Sequence, residues 1–128
     1  MAEAVVLDAS ALAALLIGES GSDVVEAALP NALINAVNLA EVLIVLGRRG
    51  IDVEAAERIV SSLPLDVVAT DASLAKEIAR LAAETRSSGL SLGDCVCLAT
   101  GRVTQLRVLT ADRAWAKLDV GVQVTIVR

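Results

Sequence analysis

Apolar residues follow two spacings along this chain, one typical of buried strands and one typical of amphipathic helices. Short β-branched runs predict five strands, at 4–8, 32–36, 65–70, 107–112 and 122–127. Segments with apolar residues three or four positions apart predict helices at 9–18, 22–29, 38–50, 52–63, 71–89 and 91–105, with a short one at 113–118. Strands that alternate with helices predict an α/β fold, in which helices flank a mostly parallel central sheet on both faces.

Residues that usually stop helices lie at several of these boundaries. Gly18 follows the last periodic residue of the first helix, and Pro30 should end the second. The helix at 38–50 is apolar nearly all round, which predicts that it is mostly buried. Because the sequence has no repeat, low-complexity tract or linker, it predicts one domain over residues 1–128.

The composition predicts an aliphatic core and an apolar surface that a partner covers. Hydrophobic residues make up 55% of the chain, yet Trp115 is its one aromatic residue, and we expect Trp115 to serve packing. No apolar run is long enough to cross a membrane and the N-terminus lacks a basic leader, so we expect a cytoplasmic protein without membrane contact. Cys95 and Cys97 lie two apart on a predicted helix, so we expect both to be reduced and buried.

The absence of histidine limits the chemistry that this chain can perform. It excludes an imidazole general base, a Ser-His triad and a His-ligated zinc site. A net charge of −5 also argues against a protein that binds nucleic acid by bulk electrostatics. Catalysis would therefore depend on carboxylates, hydroxyls, Lys, Arg or a bound metal ion.

Four acidic residues lie in otherwise apolar surroundings. Asp8 ends the first strand, Asp112 follows the fourth, and Glu41 and Asp94 lie within apolar helical segments. No Lys or Arg lies within a helical turn of Glu41 or Asp94, so the local sequence provides no salt-bridge partner for either residue. These carboxylates need some other source of compensating charge.

Each acid also has an ordinary structural explanation. Asp8 and Asp112 are placed to cap the helices that follow them, and the "SLGD" segment fits a capping box with Asp94 at its third helical position. The sequence provides a comparison, because Asp71 in "TDAS" repeats the "DAS" of residues 8–10 and should only cap a helix. For Glu41, in the middle of a helix, the alternative is an ion pair with a distant residue.

A divalent cation would explain all four acids together. Asp8 and Asp112 leave the carboxyl ends of strands, where ligands bind in open α/β sheets. Carboxylates gathered there without a cation would repel one another, and at least one would take up a proton. Mg²⁺ and Mn²⁺ prefer such oxygen ligands, whereas zinc would want the His or spaced Cys that this chain lacks.

At this point the chain resembles the PIN-domain nucleases, and among them the VapC-type toxins of bacterial toxin–antitoxin pairs. Four segments carry the resemblance in the family's order: "VVLDASAL", "NLAEVL", "LGDCVCLA" and "VLTADRAW". Together they extend over almost the whole domain. The resemblance implies that Asp8, Glu41, Asp94 and Asp112 form a metal-binding catalytic cluster.

The resemblance implies further properties of the protein. Ser10, Asn38 and Thr110 fall at polar positions beside the acids, where they would orient ligands or water. The sheet order would be 3-2-1-4-5, which makes strands one and four neighbours. The activity would be Mg²⁺- or Mn²⁺-dependent endoribonuclease cleavage, the partners an antitoxin and a second copy of the chain. Arg113, next to Asp112, is our candidate for a contact with an RNA phosphate.

Other readings of the same pattern are weaker or different in kind. A receiver domain would want paired acids after the first strand, and a dinucleotide-binding fold would need a glycine-rich turn there; "LDAS" offers neither. The alternative that stays open is a PIN-like domain that has lost catalysis and acts as a binding or scaffold module.

Overall fold

The computed structural model describes residues 3–128 and contains a five-stranded parallel sheet. Its strands are β1 Val5–Leu7, β2 Ala32–Asn35, β3 Leu65–Val68, β4 Arg107–Thr110 and β5 Val124–Ile126. They lie in the order β3-β2-β1-β4-β5, and each neighbouring pair is parallel. The predicted fold class and strand order are confirmed.

Helices connect the strands close to the predicted positions. They are α1 Ala9–Ile17, α2 Ser22–Ala28, α3 Ala36–Arg48, α4 Val53–Ser61, α5 Ala72–Glu84 and α6 Leu92–Thr104, with short 3-10 turns at Leu29–Asn31, Arg86–Ser88 and Arg113–Lys117. Gly18 ends α1 with a left-handed φ of 78°, as predicted. Pro30 does not end α2 directly, because α2 ends at Ala28 and Pro30 is the middle residue of the 3-10 turn that leads into β2.

Alternate residues of the central strand face two hydrophobic layers. Val5 and Leu7 of β1 point towards the layer built with α1 to α4. Val6, between them, points towards the opposite layer, which includes α5, α6 and Trp115. Trp115 is 1% exposed, which confirms that it packs in the core. Because successive side chains of a strand point to opposite faces, β1 contributes aliphatic residues to both hydrophobic layers.

The prediction that the third helix is mostly buried is wrong. In α3 the buried side chains are those of Asn38, Val42 and Leu46, whereas Ile44 is 53% exposed. The helix packs against α1, α4 and α6 and leaves its remaining face open to solvent. Glu41 is accordingly half-buried. In the part of the chain that the structure describes, no helix is long and apolar enough to span a membrane.

Candidate active site

The candidate site forms where strands β1, β2 and β4 end at one edge of the sheet. Leu7 pairs with Leu109 in parallel register, so Asp8, directly after β1, lies beside Thr110, the last residue of β4. The backbone N–H of Asp8 donates to the Leu109 carbonyl at 3.1 Å. Asp8 and the residues after β4 therefore emerge at a common edge of the sheet, as the sequence predicts.

Asp8 is buried and its carboxylate accepts several hydrogen bonds. One oxygen, Oδ1, accepts the Ala11 N–H at 2.8 Å and so caps α1. The other oxygen, Oδ2, accepts the Thr110 hydroxyl at 2.6 Å. The Ser10 hydroxyl lies 2.8 and 2.9 Å from the two oxygens. The two predicted supporting residues, Ser10 and Thr110, therefore contact Asp8 directly.

Thr110 also connects Asp8 to the segment that carries Asp112. The Asp112 N–H donates to the Thr110 hydroxyl oxygen at 3.0 Å, and the Ala111 N–H donates to the Ser10 hydroxyl oxygen at 2.9 Å. The side chain of Asp112 is exposed and caps the 3-10 turn by accepting the Ala114 N–H at 3.0 Å. The loop after β4 is thereby tied to the start of α1.

Glu41 belongs to a second group of contacts, between α3 and the first turn of α6. The Asn38 amide nitrogen donates to Glu41 Oε1 at 2.8 Å and to the Gly93 carbonyl at 3.0 Å. The amide oxygen of Asn38 is buried and has no hydrogen-bond partner among the described residues. Asn38, the third predicted supporting residue, thus orients Glu41 and leaves one buried acceptor unused.

Asp94 follows Gly93 directly in the first turn of α6. It forms the predicted capping box with Ser91, whose N–H donates to Asp94 Oδ2 at 3.0 Å while its hydroxyl accepts the Asp94 N–H at 3.1 Å. Asp94 and Asp112 line one cleft of about 270 Å³, together with Trp115 and Lys117. Asp94 and Asp112 therefore line the same cleft.

The acids influence one another electrostatically. Burial raises the pKa of Asp8 from 3.8 to about 6, the bonds from Thr110, Ala11 and Ser10 oppose that rise, and the charge of Asp94 adds to it. The pKa of the buried Cys97 thiol is raised well above its usual value, mainly by burial and then by the charges of Asp8, Asp94 and Glu41. Three of the acids therefore act on one buried side chain of α6.

None of the four acids has a basic partner in the described part of the chain. Ion pairs within residues 3–128 involve the carboxylates of Glu3, Glu77 and Glu84. The distant ion pair that would have explained Glu41 is therefore not formed between residues 3 and 128. A buried acid such as Asp8 normally needs a compensating cation.

The donor atoms suit a hard divalent cation, but they are not gathered into a finished cage. Across residues 3–128 no three Asp, Glu, Cys or His side chains converge as a group able to hold a metal ion. The oxygen donors, the unpaired amide oxygen of Asn38 and the uncompensated burial of Asp8 fit Mg²⁺ or Mn²⁺ by their chemistry. Binding would require the carboxylate oxygens that make no capping bond to come closer to a common point.

The capping explanation is confirmed for all three aspartates. Asp8 caps α1, Asp94 completes a capping box on α6 and Asp112 caps the turn that follows β4. Asp71 caps α5 through the same kind of bond, with the Leu74 N–H 2.8 Å from its Oδ1. Asp71 is exposed, whereas Asp8 is 6% exposed, so the capping bond alone does not explain the environment of Asp8.

Arg113, the candidate phosphate contact, is exposed at the start of the 3-10 turn after β4. It lines a shallow cleft with Ser20, Asp112 and Arg128. Lys117, from the same turn, lines the neighbouring cleft beside Asp94. These positions place two basic side chains next to acids of the candidate site.

Sequence reasoning missed a buried polar network centred on Asn35. Its Oδ1 accepts the Val37 N–H at 2.9 Å and the Thr70 hydroxyl at 2.9 Å, and its Nδ2 donates to the Thr100 hydroxyl at 3.1 Å. Asn35 is fully buried. An Asn between a predicted strand and a predicted helix is a recognisable N-cap signal, but its contact with α6 is not visible in the sequence.

Comparisons with known proteins agree with this fold. A sequence model of the PIN domain matches residues 5–121, which is most of the chain. The resemblance found in the sequence is thereby confirmed. No curated protein matches this sequence significantly.

Solved structures with the same fold come from several bacteria. A toxin–antitoxin complex from Klebsiella pneumoniae superposes with a TM-score of 0.77 at 20% identity, over 98% of each chain. DNA-bound VapBC from Salmonella typhimurium gives 0.73 at 17% identity, over 97% of this chain and 98% of that one. VapC20 from Mycobacterium tuberculosis, described as a toxin that cleaves the sarcin-ricin loop, gives 0.72 at 20% identity, over 94% and 99%.

Proposed function

This chain belongs to the PIN domain family, and we propose that it is a metal-dependent endoribonuclease that an antitoxin protein inhibits in the cytoplasm. The observation that supports this most is the electrostatics of the carboxyl edge of the sheet. Asp8 is buried there under the influence of the Asp94 charge, and no basic group between residues 3 and 128 pairs with it. A divalent cation would supply the missing positive charge.

Asp8, Glu41, Asp94 and Asp112 would hold Mg²⁺ or Mn²⁺, which when bound would polarise the phosphate and lower the pKa of the attacking water. Ser10 and Thr110 hold the Asp8 carboxylate in place, and Asn38 does the same for Glu41. Since the chain has no histidine, a carboxylate of this group would accept the proton of the attacking water.

RNA would approach along the 3-10 turn that follows β4. Arg113 and Lys117 are exposed there, each beside an acid of the site. By contrast, Arg102 already binds Glu84, with 2.6 Å between its Nη1 and the carboxylate oxygen, and Arg107 lies 3.7 Å from Glu3. Among the described residues, Arg128 is a third basic side chain beside the site, since it lines the same cleft as Asp112. So small a basic surface suits an enzyme that selects one folded RNA.

The test is cleavage of total cellular RNA by the purified protein. We expect discrete cleavage products with Mg²⁺ or Mn²⁺ and none with excess EDTA. Asp94→Asn should lower the rate by at least about a hundredfold, while the amide still accepts the Ser91 N–H and preserves the fold. Asp71→Asn, which changes an exposed cap, is the matched control and should cleave normally. Full activity in Asp94→Asn or in EDTA would refute the proposal.

A catalytically inactive binding module is the second candidate. It is favoured by the lack of a converged metal group among residues 3–128 and by the capping role of each aspartate. The same RNA experiment separates the two functions. A protein that binds its partner but cuts no RNA with either metal would be the binding module.

The partners that we propose are an antitoxin and a second copy of the chain. Several large apolar side chains are exposed: Val24, Ile44, Val53, Ile59, Val67, Leu92 and Val103. An apolar groove lined by α5 and α6 includes Ile78 and Leu92, the latter 71% exposed. Such surface is typical of an interface. We assign this groove to the homodimer and the exposed helix surface around Ile44 to the antitoxin.

Sedimentation and pull-down experiments test these partners separately. The protein should be a dimer at micromolar concentration, and Leu92→Ser should shift it to a monomer. Ile44→Ser should weaken binding of the protein encoded beside its gene, while the dimer persists. A strictly monomeric wild-type protein that binds no such neighbour would contradict the assignment.

A further inference from the structure

The glycine before Asp94 occupies a position where a side chain would collide with the site. A Cβ added at Gly93 would lie 2.5 Å from both carboxylate oxygens of Glu41 and 2.7 Å from its carboxyl carbon. Gly93 does not have a positive φ, so its backbone conformation is open to any residue. The reason for a glycine here lies in the space that Glu41 takes.

The contacts around Gly93 explain why Glu41 comes so close to α6. Asn38 donates from one amide nitrogen to Glu41 Oε1 and to the Gly93 carbonyl, which joins α3 to the first turn of α6. The Glu41 carboxylate therefore lies against the first turn of that helix, whose free N–H groups favour negative charge. Asp94 is the next residue along the same turn.

We infer that Gly93 is a positioning residue for Glu41. Because Gly93 has no side chain, the Glu41 carboxylate can lie against the first turn of α6, next to the residue that precedes Asp94. The inference rests on the proposed function, since it gives Glu41 a place in the same metal site. Because the colliding atoms are the end of a flexible side chain, a methyl group at position 93 should displace Glu41 and leave the backbone intact.

The test compares Mn²⁺ affinity, measured by titration calorimetry, among matched variants. Gly93→Ala should bind Mn²⁺ about 10–100-fold more weakly than wild type, which is the range for loss of an outer-shell contact. Its melting temperature should not fall, since alanine favours a helix more than glycine does. Gly47→Ala, on the exposed face of α3 where an added Cβ meets nothing within 4 Å, is the control and should keep full affinity.

A second pair of variants asks whether Gly93 acts through Glu41. In a Glu41→Ala background, Gly93→Ala should cause no further loss of Mn²⁺ affinity and should raise the melting temperature more than it does in wild type. Wild-type affinity in Gly93→Ala, or an additional loss in the double variant, would overturn the inference. If the wild-type protein bound no Mn²⁺, the proposed function would fail. The melting temperatures would then test the role of Gly93 on their own. If Gly93→Ala shifted the melting temperature equally in the wild-type and Glu41→Ala backgrounds, the inference about Gly93 would be overturned.

Discussion

The burial of Asp8 should make an isosteric amide at this position stabilising in the absence of metal. Its pKa is raised from 3.8 to about 6 by burial, so the folded protein binds the Asp8 proton more tightly than the unfolded chain does. The stability that this group contributes is fully present below about pH 4 and is lost as the pH rises through about 6. The total loss is about 3 kcal/mol by pH 7.5.

Asp8→Asn removes this titration and keeps the cap, because an amide oxygen accepts the Ala11 N–H as well as a carboxylate does. The amide nitrogen replaces Oδ2, so the bond with Thr110 would have to reverse, with the amide donating to the hydroxyl oxygen. In EDTA at about pH 7.5, urea unfolding should show the variant more stable than wild type by about 2–3 kcal/mol. At about pH 4 the advantage should fall below about 1 kcal/mol. Added Mg²⁺ should also reduce it, since a cation bound to wild type stabilises the folded state.

Asp71→Asn is the control for the cap itself. Asp71 makes the same 2.8 Å bond to the third residue of its helix, but on the exposed surface. Its substitution measures what an amide does to such a capping bond outside a buried site. An Asp8→Asn variant that is less stable than wild type at pH 7.5, or whose advantage does not depend on pH, would show that burial does not penalise this carboxylate.

Asn35→Ala should lower the free energy of unfolding by about 2–4 kcal/mol, since it removes a helix cap and takes one hydrogen-bond partner from the buried Thr100 hydroxyl; urea unfolding measures this. Cys97 is fully buried with a raised pKa, so mass spectrometry should find it unlabelled by a thiol reagent in the native protein at about pH 8. Arg113→Ala should raise KM for RNA about fivefold, whereas Arg58→Ala, an equal charge change on α4, should leave KM unchanged.

The fold was predictable because its signals are local, apart from the order of the strands. Alternating strands and helices, and the stop at Gly18, can be found in windows of a few residues. The order β3-β2-β1-β4-β5 depends on pairing between distant segments, and the sequence reached it only through the family resemblance. The exposure of Ile44 was missed because an apolar helix looks the same whether its own chain or a partner covers it.

The candidate site was predictable in its acids and less so in the residues that arrange them. Asp8, Glu41 and Asp94 are conspicuous as charges in apolar segments. The roles of Asn35 and Gly93 depend on hydrogen bonds between distant parts of the chain. The Asn35 amide donates to the Thr100 hydroxyl, 65 positions away, and the Gly93 carbonyl accepts from Asn38, 55 positions away. No local pattern indicates such pairs, since an Asn after a strand or a Gly in a first helical turn has many other uses.

The capping role of the aspartates and their proposed role as metal ligands are compatible. A capping bond occupies one carboxylate oxygen: Oδ1 of Asp8, Oδ2 of Asp94 and Oδ1 of Asp112 each accept one backbone N–H. The same bond fixes the direction of the second oxygen, which in Asp8 accepts the Thr110 hydroxyl. A strand that ends in a capping aspartate therefore presents a pre-oriented oxygen at the edge of the sheet. Asp71 has the cap without the burial, so what distinguishes Asp8 is the buried position of its second oxygen between β1 and β4.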